Sequence, residues 1–294
     1  MRIKNLVAVA AIAALGLVAA ACGDDSDDSS DVEVADNPTF AAGTTMERLA
    51  NAGTINIGTK IDQPGFGMNN LDGKPEGFDV EISKIIAGKL GISPDKINWV
   101  ETQSAVREEY IEQGKVDFIT ATYTINDKRK ERVDFAGPYY EAGQSLMVRK
   151  GDDSIKGPEA FRAGDKTVCS VTGSTPAENI KQYLANEASQ LVLFDTYDKC
   201  RDALQNEQVD AVTTDNVILL GYISKAEDAF QLAGDTFTTE PYGVGLKKGD
   251  TEFRNFINDV LEEAAESGAY EEAWKNTAGK FDSNTPELPQ IDRY

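Results

Sequence analysis

Short runs of apolar and β-branched residues alternate along this chain with longer stretches that carry one apolar face. Residues 54–59 (TINIGT) alternate as a strand, after a short amphipathic helix at 44–52 with Met46 and Leu49 inward. A glycine- and proline-rich loop follows at 60–68. Over residues 78–90, Ile82, Ile85, Ile86 and Leu90 share a helical face, and Gly91 stops the helix. The spacing then predicts a strand at 97–100, a helix at 106–113 and a strand at 116–122. Such alternation implies a largely parallel α/β sheet. Pro138, Tyr139 and Tyr140 interrupt it, and a second set begins. Its strands are predicted at 145–148, 167–171, 191–194 and 211–213, its helices at 175–186, 199–206 and 217–226, with 161–163 in a connector. It closes near Thr238. A strand at 242–246, helices within 253–274 and an extended tail with Pro286 and Pro289 complete the pattern.

The first residues are of another kind. Arg2 and Lys4 precede an apolar run from Leu6 to Ala21, closed by small residues. That is the pattern of a secretory signal, and it falls short of the roughly 20 residues a lone spanning helix needs. The ending LVAAAC resembles a bacterial lipobox, which implies cleavage before Cys22 and lipidation of that cysteine; an ordinary signal peptide cut nearby is the alternative. Two or more acyl chains would give a stable anchor. Residues 23–36 are acidic and serine-rich, with no core-forming run, and read as a disordered, self-repelling tether. They lack the glycine and the twelfth-position glutamate of a calcium loop.

Fifty acidic against 29 basic residues give a formal charge of −21, which argues against nucleic acid and against charge-driven adhesion to anionic lipid. A local basic pocket remains compatible with that balance. Histidine is absent, so Ser-His-Asp and Cys-His catalysis and any histidine metal site are excluded. Nothing in the chain calls for a metal or a cofactor.

The most informative stretch is FITATYTINDKRKERVDFAGPYY, residues 118–140. Thr120, Thr122 and Thr124 put hydroxyls and backbone amides on one rim at a strand end, and Arg129 can fold back over it. A guanidinium fork binds a carboxylate bidentately. The residues suit a small anion and include no nucleophile; a capped helix start with a solvated basic turn is the plainer reading.

This stretch resembles the amino-acid-binding branch of the extracellular solute-binding proteins of ABC importers. GFDVEISKIIAGKLG (77–91), VCSVTGSTPAENI (168–180), VDAVTTD (209–215) and EPYGVGLKKGD near the end match the same family in order, so the resemblance spans about residues 40–280. It implies a two-lobed periplasmic-binding-protein-like fold (type II): two α/β lobes joined by hinge strands near 139–145 and 238–242. The expected organisation is a signal peptide at 1–21, lipidated Cys22 with the tether to 39, lobe 1 from 40–141 and 241–294, and lobe 2 from 142–240. The ligand would lie between the lobes, at the carboxyl ends of the strands.

The resemblance also assigns roles. Arg129 and Thr124 would take an α-carboxylate. Asp215 would take an ammonium, shared with Thr122; by itself it also reads as an N-cap for the helix near Val217. Ser174 and Thr175, before Pro176 at a helix start, would form a second oxyanion site or simply cap the helix. Lys60 stands where glutamine-binding relatives carry an acid, and Arg107 where binders of aspartate or glutamate are basic. Both are candidates for a second carboxylate, and otherwise surface charges. Gln63 stands where relatives commonly place a covering aromatic; Phe66 is the nearest alternative cover or a core residue. With Cys22 lipidated, Cys169 and Cys200 form an even pair in an exported chain and read as one disulfide.

The expectation is a monomeric, lipid-anchored, extracytoplasmic binding protein that delivers glutamate, or aspartate, to a membrane permease. Glutamine or another polar amino acid is the alternative ligand. An enzyme similar to the cyclohexadienyl dehydratases is a second class, for which no acid–base residue can be assigned. A sensor module with the same pocket is a third.

Overall fold

The computed structural model of the protein describes residues 32–294. The expected signal peptide, the lipidated Cys22 and the first part of the tether lie outside the described residues. Two five-stranded sheets organise the rest. In the first, Ile97–Glu101, Ile55–Thr59 and Phe118–Ile119 run parallel, and Glu240–Lys247 and Val133–Ala142 complete the sheet antiparallel, in that spatial order. In the second, the order is Leu191–Phe194, Val168–Val171, Ala211–Asp215, Gln144–Arg149 and Phe230–Leu232, the first three parallel and the last two antiparallel. The molecule is thus two α/β lobes. The chain enters the second sheet after Ala142 and returns to the first at Glu240.

Lobe 1 gathers its core on one aromatic cluster. Phe66 and Phe78 pack edge-on against Tyr140 and Trp274, and Tyr140 stacks on Trp274 with centroids 5.3 Å apart. Large rings dominate core energetics because each removes so much apolar area from water. Helix Phe78–Lys89 is capped by its backbone alone, and packs Phe78, Ile82 and Ile86 inward. In lobe 2, helix Tyr197–Gln205 is joined to strand Val168–Val171 by the disulfide Cys169–Cys200. Closing a loop of 31 residues in this way stabilises the fold by roughly 3–4 kcal/mol in the chain-entropy account.

Several elements depart from the pattern reading. The loop at 60–68 contains strands Asp62–Gln63 and Gly67–Asn69, which with Pro75–Glu76 make a small third sheet. Strands so short carry no period to detect. The strand expected over 116–122 pairs only at Phe118–Ile119, because Thr122 turns to φ 44° and leaves the sheet. Pro138 does not break the chain there: Val133–Ala142 is one strand, carrying Pro138 where the pairing with Glu240–Lys247 is irregular. Helix Thr175–Ile180 is shorter than expected and tightens into a 3₁₀ turn at Lys181–Tyr183. The expected tether meets the folded body before residue 39: Val32 packs on the core and the Ala35 amide donates to Gly88 O on helix Phe78–Lys89. Among the described residues, no helix is long and apolar enough to cross a membrane.

Candidate functional site

Between the lobes lies a small polar cleft with a cavity volume of only about 10 Å³. Lobe 1 contributes Gln63, Ser104, Arg107, Thr122, Thr124 and Arg129; lobe 2 contributes Ser174, Thr175, Tyr197, Thr214 and Asp215 among others.

Arg129 is placed by the short helix Asp127–Lys130, where Asn126 Oδ1 accepts the Arg129 amide at 2.9 Å. Its guanidinium donates to Thr124 O at 2.6 Å and, across the cleft, to Gly173 O at 3.3 Å. Its Nε lies 3.4 Å from Glu108. Arg107 opens helix Arg107–Glu112, where a cation opposes the helix macrodipole. Glu108 and Glu109 in the same turn offset it. Both guanidinium carbons lie 4.9 Å from the centre of the Tyr123 ring, and Tyr123 in turn donates to Glu108 at 2.7 Å. Burial lowers the Arg107 pKa, and Arg129 beside it adds to the shift. Two arginines held together out of water form a strong site for a carboxylate, which relieves their repulsion.

Opposite them, Asp215 ends strand Ala211–Asp215. It precedes helix Asn216–Lys225 but its side chain makes no capping bond. Oδ2 accepts from Tyr242 at 2.6 Å, and the buried Oδ1 has no hydrogen-bond partner among the described residues. Burial raises the Asp215 pKa, and Glu240 nearby raises it further. An open carboxylate oxygen in such a place favours a cation that restores its ionised state.

Ser174 caps helix Thr175–Ile180, its Oγ accepting the Ala177 amide at 3.1 Å. Thr175 Oγ1 is buried beside it without a partner among the described residues. Thr122 Oγ1 donates to Gln63 Oε1 at 3.0 Å. The fold therefore brings seven of the eight predicted residues into one cleft. Lys60 is buried but does not line it; its ammonium lies 3.1 Å from Asp62. Gln63 lines the cleft, whereas Phe66 is fully buried in the lobe 1 core.

Four contributors escaped the sequence reading, the apolar Ile218 among them. Tyr197, at the start of its helix, gives the cleft its aromatic wall, and Ser104 and Thr214 add hydroxyls. Behind Thr122, in lobe 1, Asp79 accepts from the Thr122 amide at 2.7 Å and from Tyr139 at 2.6 Å, fixing Thr122 in its left-handed conformation. A clue was present: Asp79 stands three residues before Ile82 and seven before Ile86, on the apolar helix face. Burial raises its pKa to about 7 from the ordinary 3.8, with the two hydrogen bonds opposing. A carboxyl raised on folding stabilises the fold fully below its unfolded pKa, and that contribution is lost as pH climbs through the folded value. Stability of the empty protein should therefore fall between pH 3.8 and about 7. Asp79→Asn should flatten that part of the curve of melting temperature against pH; an unchanged slope would remove Asp79 as its source.

The cleft sets two buried cations against one open carboxylate, and the comparisons place the chain in a solute-binding family. Residues 55–278 match the model for bacterial extracellular solute-binding proteins, family 3, and the chain belongs to that family. It is 42% identical over 228 residues to the glutamate-binding protein GluB of Corynebacterium efficiens, covering 74% of this chain and 76% of that one. It is 40% identical over 232 residues to the ABC transporter glutamine-binding protein GlnH of Bacillus subtilis, covering 79% and 83%. Among solved structures, an ancestral arginine-binding protein bound to glutamine superposes with a TM-score of 0.71 at 34% identity, over 79% of this chain and 99% of that one.

Proposed function

We propose that the protein captures glutamate between its lobes and delivers it to the permease of an ABC importer. The observation that carries this reading is the charge of the cleft: two buried guanidiniums on one wall and one open carboxylate on the other. Glutamate brings two carboxylates and one ammonium, so each charge meets its opposite. Arg129 with Thr124 takes the α-carboxylate, Asp215 the ammonium and Arg107 the side-chain carboxylate, with Ser174 and Thr175 completing the oxygen shell. The similarity to GluB supports the same ligand. Glutamine is the second reading, supported by the similarity to GlnH and by the amide of Gln63 on the wall.

The test is calorimetric titration of the mature protein with a panel of amino acids. Glutamate should bind most tightly, aspartate and glutamine more weakly, and each should be recovered chemically unchanged after long incubation. Failure of every amino acid to bind would overturn the reading, and so would a product. We place the protein outside the cytoplasm as a monomer, anchored through lipid on Cys22. Cys22→Ser should then release it from the membrane fraction; retention there would reject the anchor.

A further inference from the structure

The lobes also meet beside the cleft, where strand Asp62–Gln63 of lobe 1 enters a notch between two helices of lobe 2. Helix Tyr197–Gln205 starts without a cap of its own: Thr196 makes no capping bond, and its buried hydroxyl has no partner among the described residues. Asp62 supplies what is missing, its Oδ2 accepting the Tyr197 amide at 2.8 Å across the lobe boundary. From the other helix, Asn216–Lys225, the Tyr222 hydroxyl donates to Asp62 O at 2.6 Å. Gly221 on that helix lets the backbone come close, since a Cβ there would lie 2.5 Å from Pro64 O. Lys60 lies 3.1 Å from the other carboxylate oxygen of Asp62 and is itself fully buried. A buried carboxylate needs such a counter-charge.

We propose that Asp62 is an affinity-determining residue that acts by latching the lobes shut, with Lys60 as its counter-ion, and not by touching the ligand. Every bond Asp62 makes to lobe 2 exists only when the lobes are together, so each favours closure. A helix cap without its acceptor weakens a helix by roughly a few-fold to thirty-fold in equilibrium terms. The same factor should enter the open–closed equilibrium. A latch of this kind slows escape of the ligand while leaving its recognition to the cleft.

The inference rests on the reading that an amino acid binds between the lobes, and the experiment separates the two. One fluorophore is attached to each lobe of the otherwise cysteine-paired protein, and interlobe transfer is recorded without and with saturating glutamate or glutamine. Asp62→Ala should lengthen the mean interlobe distance and raise the dissociation rate of both amino acids by about tenfold, leaving their affinity ratio unchanged. Asp62→Asn, which keeps an acceptor oxygen, should recover part of the loss. Gly221→Ala should reproduce the opening without altering any polar group. If Asp62→Ala leaves the distances and dissociation rates as in the wild type, the latch is overturned. It is overturned equally if Asp62→Ala changes the glutamate-to-glutamine ratio while Gly221→Ala does not, since Asp62 would then be reading the ligand. If the wild type binds no amino acid, the ligand reading falls, and the interlobe distances of Asp62→Ala and Gly221→Ala against wild type still decide the latch.

Discussion

Arg129→Ala should eliminate binding of every amino acid the wild type takes, weakening each by about 1000-fold or more, because all share the α-carboxylate. The size follows from what the guanidinium does. It is buried and donates to Thr124 O on one wall of the cleft and to Gly173 O on the other. Removing it leaves the ligand carboxylate desolvated without a partner and also frees Glu108, which then adds a repulsive charge. Arg129→Lys keeps the charge and loses the planar fork, so it should restore only a small part of the affinity. Calorimetry with glutamate, glutamine and alanine checks this. Retention of ordinary affinity by either variant would remove Arg129 from the α-carboxylate site.

Arg107→Ala should cost glutamate roughly 2–5 kcal/mol and cost glutamine much less, narrowing the gap between them. Only glutamate brings a second carboxylate to the paired guanidiniums above Tyr123. The two cations repel in the empty protein, so losing Arg107 also removes a repulsion that a bound carboxylate would relieve and adds to the loss. Lys60→Ala makes a useful contrast. It removes the counter-ion of Asp62, so it should weaken both ligands alike. Titration of both variants with both ligands separates the roles. An unchanged ratio in Arg107→Ala would mean that another group reads the side chain.

How far the sequence leads depends on whether a role is carried by local pattern. The parallel strands at Ile55–Thr59 and Val168–Val171 and helix Phe78–Lys89 were legible because burial on one or both faces writes a period into the chain. Arg129 was legible because its capping residue and its threonine rim are close neighbours in sequence. Tyr197 was not: nothing near it marks the first turn of a helix as a cleft wall, and its place depends on how two lobes meet. Lys60 illustrates the converse. Its type and position pointed to a ligand carboxylate, but Asp62, two residues on, reaches its ammonium first. Thr122 looked like a strand residue, and only Asp79, 43 residues earlier, turns it out of the sheet.

Strand Glu240–Lys247 lies between Phe118–Ile119 and Val133–Ala142, and those two are not neighbours without it. The first lobe is therefore left as a three-stranded fragment and a lone strand until residues 240–247 have emerged. Lobe 2, by contrast, draws its sheet from the uninterrupted segment 144–232 and has all its strands earlier. In a chain delivered from one end, the lobe that starts first is finished last. Its long-range pairing is of the kind that closes slowly. During that interval the edge of Phe118–Ile119 stands open, and the strand that finally covers it is the one carrying Tyr242, the partner of Asp215. Completion of the lobe 1 sheet and arrival of the Tyr242 hydroxyl at Asp215 are one event.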